Sequence, residues 1–439
     1  MGNLREKLLA IGKASLPKGR FARAVALLVG GTALGQVVVA FASPILARLY
    51  TPEEFGVLAV YSSLVATVTV VSSFRYEQAI PLPKEEAAAI NLLVVSLFAL
   101  LIVAVATGLF LLFAADYFLV GLGMPGLRDY LWLVPLGVIG NGFYQVLNYW
   151  AVRRQDFTAI ARTRVARDLA KVSIQVGGGL ANLGVWGLLL GYLTGAFAGN
   201  ALLARRGWRT DKHLLRGHVN WGAMVTVAKR YIRFPLFSTW AALFNVLGWQ
   251  LPIVFLAAMY GPKAAGWFSL GHAVLAVPLN MVIESVAQVY LAEAARLVRE
   301  NPKALKRLFL TILLRLSLVG ALPLFAFSLV APFVFPLVFG PAWERAGQYV
   351  QVLGAMYGVR LVVTPLAPTF SVLERQDMYF MQDLSRLMLI WGGFALAKVF
   401  SVSDLMAVAL YAGAVTVSTA FFGLLLAKVL HAYGTKADR

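Results

Sequence analysis

The chain has 439 residues, of which 60% are hydrophobic and only 13% are charged, and it contains no cysteine. A soluble domain carries about 45–50% apolar and about 25% charged residues, so this composition excludes a soluble enzyme. Twelve membrane helices of about 21 residues would use about 250 positions, which is close to the number of apolar residues. Little of the chain is therefore left for a domain outside the membrane.

The predicted elements begin with an interfacial helix at 1–20, in which Leu4, Leu8 and Ile11 share one face. Twelve apolar segments follow, each long enough to cross a membrane as a helix. These segments are 21–48, 55–80, 87–114, 130–152, 158–181, 184–204, 231–258, 265–292, 307–336, 347–373, 378–399 and 404–428.

The basic stretch 205–230 predicts a cytoplasmic linker between the sixth and seventh helices, and 431–439 a cytoplasmic tail. We therefore predict an all-α polytopic membrane protein. Its N-terminal lobe would span 21–204 and its C-terminal lobe 231–430, with six helices in each.

The 39 lysines and arginines are distributed unevenly between the loops. Both termini and the loops on their side hold 26 of them, the opposite loops hold five, and eight lie inside predicted spans. Because lysine and arginine resist translocation, this distribution predicts that both termini are cytoplasmic. Topology then explains much of the net charge of +19, and no nucleic-acid partner is predicted.

Two short segments match each other across the halves of the chain. ILARLYTPEEFG at 45–56 aligns without a gap with FLAAMYGPKAAG at 255–266, and Arg-Gln-Asp at 154–156 recurs at 375–377. The first pair joins spans one and two of each half, and the second joins spans four and five. Six spans is an even number, so the pattern predicts a parallel repeat with its pseudo-two-fold axis along the membrane normal.

Twelve ionisable residues fall inside predicted spans, where each would cost about 2.5–3.5 kcal/mol if it faced lipid. They must face the protein interior, form pairs or reach the interface. They are Arg75, Glu77, Arg162, Arg164, Arg167, Asp168, Lys171, Glu284, Arg315, Arg360, Asp383 and Arg386. Eight are basic, and a wet cavity lined by arginine and lysine attracts anions such as phosphate groups.

A polar stripe on one face of the predicted fifth helix is formed by Arg164, Asp168, Lys171 and Gln175, with Arg167 beside it. Arg167 and Lys171 would lie near the membrane midplane, and Arg360 roughly 20 Å along the tenth helix. The stripe favours a cavity wall, and the alternative is a set of intrahelical ion pairs. Such pairs neutralise only one of the cations, which favours the cavity.

The sequence offers four carboxylates for ion coupling or gating, namely Asp168, Glu284, Asp383 and Glu77. Glu284 shares one face of the eighth span with Asn280 and Gln288. A carboxylate buried there would exchange protons, and the alternative is a structural, hydrogen-bonded carboxylate.

Thr51-Pro52-Glu53-Glu54 has two interpretations. It predicts a helix start, with Thr51 as N-cap, Pro52 at the first position and Glu54 closing a capping box. The alternative is an acidic pair in an outer loop, as membrane glycosyltransferases use. No Walker loop and no cluster with metal-ligand spacing occurs, so no cofactor is predicted.

Three runs resemble a known family, namely LYTPEEFGVLAVYSSL (49–64), FRYEQAIPLPKEEAAA (74–89) and WAVRRQDFTAIARTRV (150–165). They resemble the Wzx-type oligosaccharide flippases of the multidrug/oligosaccharidyl-lipid/polysaccharide exporter superfamily. The resemblance implies two six-helix lobes around a cavity that opens alternately to each side. It also implies transfer of undecaprenyl-diphosphate-linked sugars from the cytoplasmic to the outer leaflet.

We therefore predict a non-enzymatic flippase of the bacterial inner membrane, coupled to an ion gradient, for cell-surface polysaccharide biosynthesis. Its partners would be the lipid-linked oligosaccharide, the membrane and assembly proteins such as a polymerase. The predicted diphosphate ligands are Arg75, Arg164, Arg167, Lys171 and Arg360. Arg75 would act at a cytoplasmic access site, although an interfacial pair with Glu77 is an equal alternative. The rival functions are a multidrug antiporter of the same fold and a membrane glycosyltransferase or polymerase.

Overall fold

The computed structural model describes residues 20–122, 125–300, 302–373, 375 and 377–437. The predicted interfacial helix at 1–20 lies outside these residues, apart from Arg20, which begins the first helix. Nearly all of the described chain is helical, and it contains no β-strand.

Long helices follow the predicted apolar segments closely, because continuous apolar runs satisfy their backbone most simply as helices in a membrane. We number them α1 (Arg20–Leu49), α2 (Pro52–Val71), α3 (Glu86–Leu122), α4 (Leu133–Arg153), α5 (Phe157–Leu180), α6 (Val185–His218), α7 (Thr239–Tyr260), α8 (Pro262–Glu300), α9 (Pro302–Arg315 and Leu322–Phe339, joined by the π-helical turn Leu316–Ala321), α10 (Glu344–Val363), α11 (Asp377–Val399) and α12 (Asp404–Ala437).

Nine stretches of the described chain are long and apolar enough to cross a membrane. The helices α4, α5 and α11 are 21, 24 and 23 residues long, but their polar and charged side chains make them less apolar than these nine stretches. The predicted all-α, multi-pass membrane architecture is confirmed. The number of twelve crossings and the internal repeat stay predictions.

We group the helices by chain order as α1–α6 and α7–α12, and α2 packs extensively against α7 and α8 as well as against its own group. In the first group, α5 lies between α1 and α6, and a core around Tyr61 and Val138 is fully buried. In the second group, α10 contacts α8, α9 and α12 around a core that includes Phe268 and Tyr357. The first core also includes Ala257 and Ala265, and the second includes Ala47, so the two groups pack tightly against each other.

The second helix ends earlier than predicted, at Val71 and not near residue 80. The hydroxyl of Ser72 donates to the carbonyl of Thr69, a local bond that competes with helix continuation. Phe74 and Arg75 then adopt left-handed backbone angles, with φ of 49° and 61°, before a short 3₁₀ turn. Arg75 and Glu77 consequently lie outside the helix in which they were predicted.

The sixth helix continues to His218, well beyond its predicted end at residue 204. Its extension is attached to α4, because the Trp150 indole donates to Asp211 at 2.9 Å and Arg154 forms an ion pair with Asp211 at 2.8 Å. A separate short helix, Trp221–Arg230, follows. The predicted linker 205–230 is therefore mostly helical.

The two groups of helices meet where α2 and α8 begin. A Cβ atom on Gly56 would lie 1.8 Å from the Pro262 carbonyl oxygen, and one on Gly266 would lie 1.8 Å from the Pro52 oxygen. These are matched residues of the two similar sequence segments. Reciprocal contact between equivalent positions is what a two-fold axis between the two helix starts would produce.

Gly56→Ala should lower the thermal unfolding midpoint, because the new methyl group would collide with backbone that has no freedom to rotate away. Overpacking of this kind costs about 1–3 kcal/mol. Gly413→Ala on α12 is the matched control, since nothing lies within 4 Å of its added Cβ. An unchanged midpoint for Gly56→Ala, measured on purified protein, would contradict the close contact between α2 and α8.

Candidate functional site

Glycines allow α5 to approach its two neighbours closely. On α6, a Cβ atom on Gly191 would lie 2.8 Å from the Lys171 carbonyl oxygen, and one on Gly195 would lie 3.0 Å from the Arg167 oxygen. On the opposite side, a Cβ atom on Gly35 of α1 would lie 2.1 Å from Asp168 Oδ2. Small residues that let helix backbones meet are typical of membrane bundles.

The polar stripe of α5 lines a cavity of about 340 Å³ between four helices of the N-terminal group. We call it the N-lobe pocket. Its lining residues are Thr32 and Gln36 of α1, Asn141 of α4, Arg164, Arg167, Asp168 and Lys171 of α5, and Tyr192, Gly195 and Ala196 of α6. Four of the predicted site residues therefore meet here, on one side of the molecule and within one lobe.

Among the residues that the structure describes, the hydrogen-bond and ring partners of Arg167 are neutral. Its Nη2 donates to Asn141 Oδ1 at 2.7 Å, and its Nε donates to the Gly195 carbonyl at 3.1 Å. The guanidinium carbon lies 3.9 Å from the ring centre of Tyr144, a cation–π distance. These contacts fix the orientation of the side chain without neutralising its charge.

The other two cations of the pocket also contact neutral groups. Arg164 donates to the Thr32 hydroxyl, and the Lys171 ammonium lies 6.0 Å from the ring centre of Tyr192. Among the described residues, no ion pair joins Asp168 to Arg164 or Lys171. Each cation instead contacts a neutral group on a neighbouring helix, while Asp168 interacts electrostatically with all three cations of its own helix.

An apolar groove of about 520 Å³ adjoins the N-lobe pocket. It lies between α1, α8 and the end of α9, and Gln36 lines both the groove and the pocket. The Oε1 atom of Gln36 is buried and has no hydrogen-bond partner within the described part of the chain. A molecule with an anionic end and an apolar end would fit the two spaces together.

Arg360 does not join the N-lobe pocket. It lies on α10 with its guanidinium carbon 4.2 Å from the Trp249 ring centre, and Arg386 of α11 lies 4.6 Å from the same ring. Arg386 also approaches Asp383 at 3.1 Å, and Asn245 donates to Asp383 at 3.3 Å. The structure thus contains a second cationic group of residues, the C-lobe cluster.

Arg75 and Glu77 lie together after the end of α2. Glu77 is completely buried and accepts hydrogen bonds from Ser73 and from Gln145, the latter at 2.8 Å. The Arg75 guanidinium approaches it at 3.8 Å. Burial raises the pKa of the Glu77 carboxyl above its ordinary value.

Glu284 is exposed on α8, so the expectation of a buried carboxylate at this position is wrong. The buried face of α8 is formed here by Leu279 and Ile283, and residue 284 lies beside that face. No hydrogen bond or ion pair joins Glu284 to the other residues that the structure describes.

The capping interpretation of Thr51 and Glu54 is confirmed. The Thr51 side chain accepts from the Glu54 backbone N–H, and the Glu54 carboxylate accepts from the Thr51 N–H at 2.7 Å. Pro52 occupies the start of the helix. The acidic pair is thereby explained as a helix start.

Comparison with known proteins now identifies the family. A family model described as "Polysaccharide biosynthesis protein" matches residues 45–348, which is more than half of the chain. The chain belongs to the polysaccharide biosynthesis protein family. The succinoglycan biosynthesis transport protein ExoT of Rhizobium meliloti is 24% identical over 365 residues, covering 80% of this chain and 69% of ExoT. The lipopolysaccharide biosynthesis protein WzxC of Escherichia coli is 24% identical over 391 residues, covering 86% of this chain and 72% of WzxC.

Solved structures share the fold of this polysaccharide biosynthesis protein. The lipid II flippase MurJ, in an inward closed conformation, has a TM-score of 0.70 at 9% identity, over 92% of this chain and 87% of MurJ. An inward-facing multidrug resistance transporter of the MATE family in the MOP superfamily has a TM-score of 0.64 at 14% identity, over 93% of this chain and 95% of that chain. The predicted resemblance to transporters of this superfamily is confirmed.

Several residues of this family member's sites were missed from sequence. Asn141, Tyr144 and Tyr192 contact the cations of α5 but come from other helices, and a single helix pattern does not reveal such partners. The glycines of α6 at every fourth position were an available signal for close packing against a neighbour. Trp249 had no signal, because aromatic residues are common in any membrane helix.

Glu77→Leu should destabilise the protein by about 1–3 kcal/mol, because Ser73 and Gln145 would lose their buried acceptor. Glu77→Gln should remain close to wild type, since an amide serves both bonds and burial favours a neutral group. Glu293→Leu is the exposed control. Thermal midpoints that are equal for Glu77→Leu and wild type would refute this arrangement.

Proposed function

We propose that this protein is a flippase that moves an undecaprenyl-diphosphate-linked oligosaccharide from the cytoplasmic to the outer leaflet of the bacterial inner membrane. It works by alternating access, without catalysis, with both termini in the cytoplasm. The printed names of ExoT and WzxC, a succinoglycan transport protein and a lipopolysaccharide biosynthesis protein, support this substrate class.

One observation carries the proposal, namely the basic N-lobe pocket that shares Gln36 with an apolar groove. Three cations and Asp168 give the pocket a formal charge of +2. A diphosphate esterified at both ends carries about two negative charges, which this pocket would balance. The isoprenyl chain would occupy the groove and the bilayer beyond it, so that only the polar part leaves the lipid.

The arginines of the pocket suit a diphosphate by geometry as well as charge. A guanidinium offers parallel N–H donors that match two phosphate oxygens, whereas an ammonium acts as a point charge. We propose that Arg164 and Arg167 donate hydrogen bonds to the phosphate oxygens and that Lys171 balances the negative charge of the diphosphate. Arg75 would meet the diphosphate first, at the cytoplasmic access site, and Arg360 would meet the substrate from the C-terminal lobe.

The membrane potential, which is the electrical component of an ion gradient, would drive this transport. Moving about two negative charges outward across a membrane that is negative inside by 100 mV releases about 4–5 kcal/mol. A proton taken up by Asp168 would raise the formal pocket charge from +2 to +3 and strengthen anion binding. A proton that left the cytoplasm with the substrate would oppose this driving force, so we assign Asp168 to tuning the affinity of the pocket and not to coupling, and Glu77 to gating.

Alternating access requires the contact between α2 and α8 to open. Glu53 and Lys263, which follow the two matched prolines, form an ion pair of 3.4 Å across this contact. Since the chain has no cysteine, Glu53→Cys with Lys263→Cys gives a clean cross-linking pair. We expect oxidation to stop export and reduction to restore it. Each single variant is the control, and export that persists after complete cross-linking would contradict this gate.

Arg167→Glu and Lys171→Glu should abolish export of lipid-linked glycan while the protein still inserts into the membrane. Each reversal changes the formal pocket charge from +2 to 0, which removes the balance with the diphosphate. Surface glycan in a strain that lacks its own flippase measures the effect. Lys229→Glu, on the exposed short helix, is the matched control.

A binding measurement separates transport from folding. Farnesyl diphosphate should raise the thermal midpoint of the purified wild-type protein, and Arg167→Gln should weaken its apparent affinity roughly tenfold or more.

Wild-type export by Arg167→Glu would defeat the proposal. Efflux of toxic cations by the wild type would favour the multidrug antiporter, and loss of activity in Glu54→Gln, which can keep the capping box, would favour the glycosyltransferase.

A further inference from the structure

The end of α6 carries a row of exposed side chains that neither the N-lobe pocket nor the C-lobe cluster uses. These residues, which we call the basic face, are Arg205, Trp208, Arg209 and Lys212. Their spacing of three and four residues places them on one side of the helix, within an arc of about 100°. The opposite side is attached to the bundle through Asp211, which is buried and contacts Trp150 and Arg154 of α4.

The basic face continues a side of α6 that is suited to contact lipid. Phe197 and Leu202 lie on the same side of the helix and are 40% and 50% exposed. Both belong to the stretch Val185–Arg209, which is long and apolar enough to cross a membrane. A helix face that contacts acyl chains along a span reaches the headgroup layer where the span ends. The basic face therefore lies at the level of the lipid phosphates.

Two exposed tryptophans support this position. Trp208 is 56% exposed, and Trp221 of the following short helix is 68% exposed. Tryptophan is enriched at the boundary between acyl chains and water, because its ring is apolar and its N–H is polar. The Trp221 ring also contacts Phe98 of α3, with 6.3 Å between ring centres. Phe98 belongs to the membrane-length stretch Glu86–Ala115, so the short helix begins beside the membrane-spanning part of the bundle.

The positive charge of this segment is not balanced by its own carboxylates. Residues 205–233 include eight lysines and arginines and a single acidic residue, Asp211. In the described part of the chain, ion pairs here join Arg154 to Asp211 and Arg206 to Asp156, and neither uses a cation of the basic face. The three cations of the basic face are therefore accessible to external anions.

We infer that the basic face binds the phosphates of anionic phospholipids such as phosphatidylglycerol. Lysines and arginines next to a membrane span attract anionic headgroups, and each contributes roughly a fivefold preference. Resistance to translocation also favours basic residues here, but it does not require them to share one helix face with a tryptophan. The lipid would hold the segment that connects the two groups of helices at the membrane surface.

The test measures which lipid lies next to the basic face. Since the chain has no cysteine, Leu202→Cys allows one fluorophore to be attached a single turn before Arg205, at an exposed position. The full-length protein is placed in phosphatidylcholine nanodiscs with a minor fraction of chain-nitroxide lipid, either phosphatidylglycerol or phosphatidylcholine. The ratio of the two quenching constants reports the local enrichment of the anionic lipid. We expect a ratio of roughly five or more, and a lower ratio at high salt.

A test variant and a matched control remove equal charge. The test variant replaces the three cations of the basic face, Arg205→Gln, Arg209→Gln and Lys212→Gln together. The control changes exposed cations of the C-terminal group, Lys306→Gln, Arg307→Gln and Lys428→Gln. The test variant should bring the ratio close to one, and the control should leave it unchanged. Arg209→Gln alone should lower the ratio several-fold, so it tests the face even if the triple variant does not fold.

Four results would overturn the inference. Equal quenching by the two lipids with the basic face intact would show that no anionic lipid is enriched there. An unchanged ratio in the test variant would place the enrichment elsewhere. An equal loss in the control would assign it to the net charge of the protein. Finally, a preference that disappears when soluble polyglutamate is added would assign the face to an acidic protein segment.

Discussion

The structure depends on one constraint, which is that charged groups inside a membrane protein must be compensated. A charge at a lipid-facing position costs several kilocalories per mole, and a buried charge without a partner costs at least as much. Arg164, Arg167 and Lys171 share one carboxylate, Asp168, in a pocket enclosed by four helices. The packing of α5, the choice of its neighbours and the chemistry of the pocket all follow from the need to accommodate that excess of positive charge.

The protein stabilises these cations without neutralising them. Carbonyl oxygens, amide oxygens and aromatic faces supply partial negative charge, as Asn141 and Tyr144 do for Arg167, and Trp249 does for Arg360. A set of carboxylates at the same places would form tight ion pairs and leave nothing for an anionic ligand to bind. Glu77 shows the reverse case, in which neutral donors from Ser73 and Gln145 surround a single buried carboxyl.

Much of the fold could be predicted from sequence, because helix length and apolar composition are local properties. The boundaries of α1 and α5 and the cap at Thr51 follow directly from the residues that form them. The early end of α2 and the long extension of α6 could not be predicted, since they depend on a local hydroxyl bond and on ion pairs with α4. Helical periodicity put the stripe of α5 on one face, but it carried no information about the partners opposite. The depth of Arg360 along its helix suggested a shared site with that stripe, although Arg360 lies against Trp249 in the other lobe.

The two lobes use equivalent helices for unequal charges, and this inequality bears on how one molecule is recognised. A lipid-linked glycan has a diphosphate at a fixed position and sugars that differ from one substrate to another. A pocket with a formal charge of +2 beside an apolar groove suits the fixed part, whereas the C-lobe cluster, with a formal charge of +1, packs its arginines against aromatic rings. Because the lobes meet where α2 and α8 begin, opening of that contact would change the distance between the N-lobe pocket and the helices of the C-terminal lobe. A substrate that contacts both lobes would therefore couple its own binding to the movement of the lobes, which a substrate held by one lobe alone would not do.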